Sequence, residues 1–187
     1  MVSVMGFFFR RKPSPSTDEV AFAALRVQAE DGDAEAQFNL GLHYSSANPE
    51  APDFAQALGW YLKAGEQNHR LAQFNLGVMY SLGQVPPSDP ETAIDWMRRA
   101  AEGGDAGAQY QLGVRCHRAS LEPRRPNGAE FRIEAYKWYS LAAAQGYADV
   151  LDACDQINLN MTRAEVDEGK RRAAAFIAAL PAEPQTP

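Results

Sequence analysis

Only two cysteines and three histidines occur among the 187 residues. The cysteines, Cys116 and Cys154, are too few for a disulfide scaffold, and their spacing matches no zinc site. No apolar run reaches the roughly 18 residues that a membrane-spanning helix needs. P-loop, dinucleotide-binding and zinc-type histidine motifs are missing as well. These absences predict a protein without cofactor, metal or catalytic centre.

Positive charge is also in short supply. Eighteen Lys and Arg face 24 Asp and Glu, which gives a net charge of −6 at pH 7. Because non-specific nucleic-acid affinity depends on basic side chains, we expect no nucleic-acid partner. With 45% hydrophobic and 22% charged residues, the composition is that of a globular protein of one or two domains. We expect it to be cytoplasmic.

The two ends of the chain differ from the rest. Residues 1–16 form a predicted flexible leader, in which an apolar run precedes basic residues, the reverse of a cleavable signal peptide. The alternative is an interfacial anchor within residues 1–12, the one place where membrane contact is expected. Three prolines predict a disordered tail over residues 180–187.

An internal repeat dominates the rest of the sequence. Ala36-Gln37-Phe38-Asn39-Leu40-Gly41 recurs 36 residues later from Ala72 and again 36 residues later from Ala108. A second landmark spaces Ala, Trp and Ala by three and four residues, as in Ala57, Trp60 and Ala64. Its third copy is 42 residues after the second. We therefore place six extra residues in the loop between Cys116 and Ala135.

The landmark spacings are helical, so each unit is predicted to be a pair of helices, A and B. Ser16 with Glu19, and Thr162 with Glu165, have the spacing of capping boxes. Asp89 precedes Pro90 as an N-cap would. Gly41, Gly77 and Gly113 recur in one register, which indicates a backbone approaching too closely for a Cβ atom.

This pattern, A-Q-[FY]-x-L-G-x-x-Y followed by A-x-x-W-x-x-x-A-A-x-x-G, resembles the Sel-one-like repeat (SLR) family, a relative of tetratricopeptide repeats. The resemblance implies an all-α fold, a right-handed α-α superhelical solenoid. We expect a solenoid over residues 17–160 with units at about 33–68, 69–104 and 105–146 and flanking half-repeats. A C-terminal capping helix follows over residues 161–179.

The resemblance also implies a protein-binding adaptor or scaffold, with a protein or peptide as its partner. A helices line the concave face of such solenoids. Side chains about 100° from the core leucines form a predicted polar ladder there. Its members are Asn39, His43, Asn75, Met79, Gln111 and Arg115. Alternatively, the amides of the ladder bond only within the solenoid.

Two other groups of side chains, one basic and one apolar, bear on partner binding. Arginines gather around the long third loop and can recognise an acidic partner, or remain merely solvated. The set comprises Arg115, Arg118, Arg124, Arg125 and Arg132. An apolar stripe in the A helices is expected to be inter-repeat core rather than a ligand surface. It consists of Phe38, Leu42, Phe74, Val78, Tyr110 and Val114.

A hydrolase-like enzyme is the rival from another class, and it would depend on Cys116 and His117. Adjacent helical residues point about 100° apart, which opposes a dyad. Cys116 also occupies the position of Tyr44 and Tyr80 in the first two units. Cys116 is therefore predicted to be core filler, and Cys154 a core residue, since buried free cysteine behaves as a small hydrophobe.

Overall fold

The computed structural model describes residues 16–46, 50–86, 89–123, 126–148 and 150–180. All regular elements in these ranges are α-helices. They are α1 Thr17–Glu30, α2 Ala34–Ser46, α3 Phe54–Glu66, α4 Arg70–Ser81, α5 Pro90–Glu102, α6 Ala106–Ser120, α7 Gly128–Ala144, α8 Val150–Asn158 and α9 Arg163–Ala179. The predicted leader, except Ser16, and the predicted tail, except Leu180, lie outside the described residues.

Neighbouring helices pack in a regular order that makes a solenoid. Helices α2 and α3, α4 and α5, and α6 and α7 form the A and B helices of three repeats. Helix α1 packs on α2 as α3 packs on α4 and α5 on α6, so α1 takes the place of a preceding B helix. The apolar core is distributed along this stack as successive clusters.

Capping chemistry sets several helix ends as the sequence predicted. Reciprocal capping boxes join Ser16 with Glu19 and Thr162 with Glu165. The Asp89 carboxylate accepts hydrogen bonds from the first turn of α5, directly before Pro90. At the turns before helices α2, α4 and α6, and after α7, the chain adopts positive φ. These residues are Gly32, Asn68, Gly104 and Gly146.

The start of each A helix has its own cap. Asp33 and Asp105 accept hydrogen bonds from the backbone N–H three residues on, at 2.6 and 2.7 Å. In the second repeat His69 replaces the aspartate, and its Nδ1 accepts from the Ala72 N–H at 3.2 Å. Its Nε2 lies 3.0 Å from a carboxylate oxygen of Glu35. One imidazole therefore caps α4 and contacts the repeat before it.

A buried glutamine in each A helix joins that helix to the one before. The side-chain amides of Gln37, Gln73 and Gln109 donate to the backbone carbonyls of residues 29, 65 and 101 at 3.0, 2.9 and 3.1 Å. Each acceptor is the penultimate residue of the preceding helix, where carbonyls lack a partner inside the helix. We call these three contacts the glutamine bridges. They fix the axial position of every repeat relative to the last.

The repeated glycines do mark close approach, although the neighbour differs between repeats. A Cβ atom on Gly41 or Gly113 would lie 2.6 or 2.5 Å from the ring of Tyr61 or Tyr139. The expectation of an approaching backbone is therefore wrong for these two. On Gly77 a Cβ would meet the backbone nitrogen of Met97 at 3.2 Å, because Met97 stands where the other repeats have tyrosine.

The six extra residues of the third repeat do not lie in the loop, where the sequence placed them. Relative to α4, α6 continues for three further residues, and relative to α5, α7 begins four residues earlier. The turn-forming residues occupy only the connection over residues 121–127. The six extra residues thus lengthen both helices by about one turn each instead of enlarging the loop.

The C-terminal helix packs against the last full repeat. Gly169 of α9 lies against the Tyr136 ring, and Phe176 meets Trp138 edge to face with ring centroids 5.6 Å apart. Arg172 binds carboxylates of both helices, with Glu130 and Glu134 on α7 and Glu168 on α9. Helix α9 thereby covers the Trp138 side of α7.

Replacing Gly113 with Ala tests the close approach to Tyr139. We expect Gly113→Ala to lower the free energy of unfolding by about 1–3 kcal/mol, because the new methyl group overlaps the ring. Gly59 is the matched control, since nothing lies within 4 Å of its would-be Cβ. Gly59→Ala should stabilise the chain by about 0.5–1 kcal/mol through helix propensity. Urea unfolding followed by circular dichroism measures both, and equal effects would contradict the packing described.

Replacing Gln109 with Leu tests a glutamine bridge. The change removes the side-chain donor to the Ala101 carbonyl, which keeps only backbone N–H donors of the following turn, and it removes the acceptor of the Gln145 amide. We therefore expect a loss of about 1–3 kcal/mol in unfolding free energy. Gln111→Leu, two residues away and exposed, should change stability by less than about 0.5 kcal/mol. A Gln109 variant as stable as the Gln111 variant in urea would show that the bridge contributes nothing.

Candidate functional site

The polar ladder is only partly accessible. On α2, Asn39 is half-buried and its amide contacts Glu35 at 3.3 Å, while His43 is exposed with its ring 4.4 Å from that of Phe22. On α6, Gln111 and Arg115 are both exposed. These four ladder members remain available to a partner.

The α4 members of the ladder behave differently. Asn75 is half-buried and hydrogen-bonds the hydroxyl of Tyr61, whose pKa is raised chiefly by burial. Its amide is therefore used inside the solenoid, as the alternative interpretation held. Met79 is only 3% exposed, so its place on the exposed ladder is wrong. The cause is the loop after α4, which turns at positive φ at Gly83 and places Val85 in the same core cluster as Met79.

The apolar stripe is mainly core, as expected. Phe38 is buried, and the stripe residues on α4 and α6 are partly buried and pack against the successive core clusters. These residues are Phe74, Val78, Tyr110 and Val114. Leu42 is the exception, because it is 37% exposed beside the ladder on α2. It adds a small apolar contact to that surface.

The arginines of the third repeat divide into two groups. Arg132 forms an ion pair with Glu165 of α9 at 2.5 Å, so it belongs to the packing of the C-terminal helix and is wrong as a partner-binding residue. Arg115 and Arg118 are exposed, and neither guanidinium makes an ion pair or hydrogen bond within the described part of the chain. Arg124 and Arg125 lie outside the described residues.

A cleft of about 560 Å³ brings ladder and basic residues together. Helices α4, α5, α6 and α7 all contribute to it, at the edge where A helices connect to B helices. Its lining contains Ser81, Ala93, Ile94, Met97, Gln111, Leu112, Val114, Arg115, Cys116, Arg118, Ala119, Glu122 and Phe131. The ladder residues Gln111 and Arg115 thus share a single concavity with Arg118, so two of the third-repeat arginines lie there.

Cys116 and His117 have properties opposite to those of a catalytic dyad. Burial, followed by the Glu134 carboxylate, raises the pKa of the Cys116 thiol to about 11, against the influence of Arg115. Burial also lowers the pKa of His117. No hydrogen bond joins these two side chains, both of which the structure describes. Cys116 packs against two core clusters, and Cys154 against one, so both act as partly buried apolar residues.

Among the described residues no three side chains of His, Cys, Asp or Glu are grouped so that they could hold a metal ion. Within the same ranges none of the helices combines the length and apolar character needed to cross a bilayer. The anchor proposed for residues 1–12 lies outside the described part.

Thiol alkylation tests the state of Cys116. A pKa of about 11 leaves roughly a hundredfold less thiolate at neutral pH than a pKa of 9, so iodoacetamide should react slowly. We expect, in a Cys154→Ser background at pH 7.5, labelling that is at least tenfold slower in the folded chain than in urea. Equal rates, or faster labelling of the folded chain, would indicate an activated thiol and reopen the enzymatic interpretation.

Comparisons with known proteins agree with the helix pairs. The Sel1 repeat model matches residues 34–69, 70–105 and 106–147, each unit beginning one residue after the predicted one. The chain is similar to the crystal structure of c5321, a protective antigen present in uropathogenic Escherichia coli strains displaying an SLR fold. The identity is 27% and the TM-score 0.70, with 87% of this chain and 33% of that one covered.

A second similar structure is a Sel1 repeat protein from Oxalobacter formigenes. Its identity is 29% and its TM-score 0.60, with 73% of this chain and 98% of that chain covered. This chain thus spans about a third of the length of the antigen and nearly all of the second protein. No curated protein matches it. With three matched units and the same solenoid fold, the chain belongs to the Sel1 repeat family, whose members are typically protein–protein interaction scaffolds.

Proposed function

We propose that this solenoid is a non-enzymatic adaptor that binds a segment of a partner protein along its A-helix face. We define that face by Asn39, His43, Gln111 and Arg115, on the helices that line the concave side of helix-pair solenoids. The observation that carries the proposal is the exposure of Gln111 and Arg115 without an internal ion pair or side-chain hydrogen bond in the described chain. Their polar groups are free to pair with a partner.

The rigidity of the A helices supports this role. Each one is tied to the preceding helix by a glutamine bridge and begins at a side-chain cap. The backbone of helices held in this way needs no ordering when a partner binds, which reduces the entropic cost of association. A solenoid of this kind recognises an extended segment by shape with a few anchoring contacts.

The chemistry of the third repeat supports a role without catalysis. Cys116 is the best nucleophile candidate in the sequence, yet burial keeps its thiol protonated at neutral pH. Burial lowers the pKa of the neighbouring His117, so this histidine provides no stabilising positive charge for a thiolate. Recognition rather than reaction is therefore the function best supported by these side chains.

Affinity capture with surface variants tests the adaptor. The double variant Asn39→Arg/Gln111→Arg places two bulky cations on the A-helix face. We expect this variant to recover roughly tenfold less, or lower still, of the proteins that the wild-type chain captures from its native cells, because anchor positions dominate binding energy. Quantitative mass spectrometry of the captured proteins provides the measurement.

A matched control separates the effect of changing the A-helix face from the effect of adding two positive charges. Gln28 and Gln56 are exposed on α1 and α3, outside the A-helix face. The double variant Gln28→Arg/Gln56→Arg adds the same two charges and should retain the captured proteins. If both variants capture the wild-type set equally well, and both remain folded by circular dichroism, the A-helix face is not the binding surface.

A further inference from the structure

The cleft exists because the third repeat is longer than the second. Its lining residues Arg118, Ala119, Glu122 and Phe131 lie in or beside the additional turns of α6 and α7. Ser81 marks the end of the shorter α4, on the opposite wall. The lengthened helices therefore project beyond the second repeat and form a step at the solenoid edge.

Apolar side chains form the floor of this step, whereas polar side chains account for the larger share of its exposed lining. Met97 of α5 and Leu112 and Ala119 of α6 line it and are at least nine-tenths buried. Ile94 and Val114 add aliphatic side chains. A volume of about 560 Å³ lies within the roughly 300–1,000 Å³ typical of pockets for small ligands. The cleft has room for one or two apolar side chains of a partner segment, and not for a folded domain.

The electrostatics of the cleft differ from those of the whole chain. Although the chain carries a net charge of −6, Arg115 and Arg118 both line the cleft and are exposed. Within the described residues neither has an acidic partner. Glu122 also lines the cleft, and it is already engaged in an interaction of its own.

The charged side chains around the Cys116 thiol, which lines the cleft, differ in whether they are paired. Besides burial, four charged side chains affect the pKa of Cys116. One of them, Glu134, raises it, whereas Arg115, Lys137 and Arg98 lower it. Lys137 and Arg98 are paired with Glu134 and Asp95, so Arg115 is the cation in this group that has no ion pair in the described chain. The cleft offers positive potential beside an apolar floor.

We infer that the cleft binds an acidic protein segment that carries an apolar side chain. The apolar side chain occupies the floor around Met97 and Leu112, while carboxylates of the segment pair with the guanidiniums of Arg115 and Arg118. Arginine forks pair with carboxylates through charge-assisted hydrogen bonds, which are stronger than neutral ones. This assignment rests on the proposed adaptor function, and it adds the chemistry of the partner.

Three short fluorescein-labelled peptides provide the probes. The first has glutamates on both sides of a single leucine, the second replaces the leucine with serine, and the third replaces the glutamates with lysines. We expect the first to bind the full chain roughly tenfold more tightly than either of the others in fluorescence polarisation. Its affinity should fall with added NaCl, because exposed charge pairs are screened.

A charge-matched pair of variants locates the binding. Arg115→Gln/Arg118→Gln should weaken the first peptide roughly tenfold. The control Arg26→Gln/Lys170→Gln removes two positive charges from α1 and α9, which do not line the cleft, and should change the affinity by less than about twofold. All four positions are exposed, so both variants are expected to fold.

The outcomes separate this inference from the adaptor function. Equal affinities for the glutamate and lysine peptides, or no binding of the first peptide at about 1 mM, would overturn the assigned chemistry. So would equal effects of the two double variants. If native partners were nevertheless lost with Asn39→Arg/Gln111→Arg, the adaptor function would stand with a partner of different chemistry. If the Arg115/Arg118 variant still bound the first peptide and the Asn39/Gln111 variant still captured the native partners, both the inference and the adaptor function would be refuted.

Discussion

The hydrogen bond from a buried glutamine amide to the penultimate carbonyl of the preceding helix is the constraint on which the stack depends. Each such bond adds a side-chain donor to a carbonyl that also accepts a backbone N–H of the following turn, and it recurs with the same eight-residue separation. Leu151 of α8 occupies the equivalent position and is 67% exposed. Helix α8 still packs on α7 without this bond, but α9 packs on α7 instead of pairing with α8 as a B helix would.

Much of the fold could be predicted because the sequence repeats itself. The helix pairs follow from landmarks recurring at fixed offsets, and the capping boxes from short local spacings, neither of which needs tertiary information. The role of Gln37, Gln73 and Gln109 was missed, although their recurrence in a buried register was a usable signal. The identity of each glycine's neighbour depends on which side chain the facing helix presents, and spacing alone does not give that.

The candidate site was less predictable, since accessibility depends on neighbours distant in sequence. Met79 and Arg115 share one repeat position, yet the loop around Val85 buries the first while the second remains exposed. Arg132 lies among the arginines in sequence but pairs with Glu165, 33 residues away. The sequence showed the turn-forming residues of the third loop. It did not show that α6 and α7 extend on either side of that loop and form the cleft, because this extension depends on packing.

The two edges of the solenoid differ in the contacts that they carry. Three repeated features lie where a B helix passes to the next A helix. They are the glutamine bridges, the caps at Asp33, His69 and Asp105, and the positive-φ residues Gly32, Asn68, Gly104 and Gly146. The opposite edge has side-chain caps at Asp53 and Asp89 but no glutamine bridge in the described ranges, and it is there that the helices of the third repeat extend beyond those of the second. At that edge such a protein can acquire a new specificity by lengthening a single pair of helices, while the bridged edge keeps its repeated contacts.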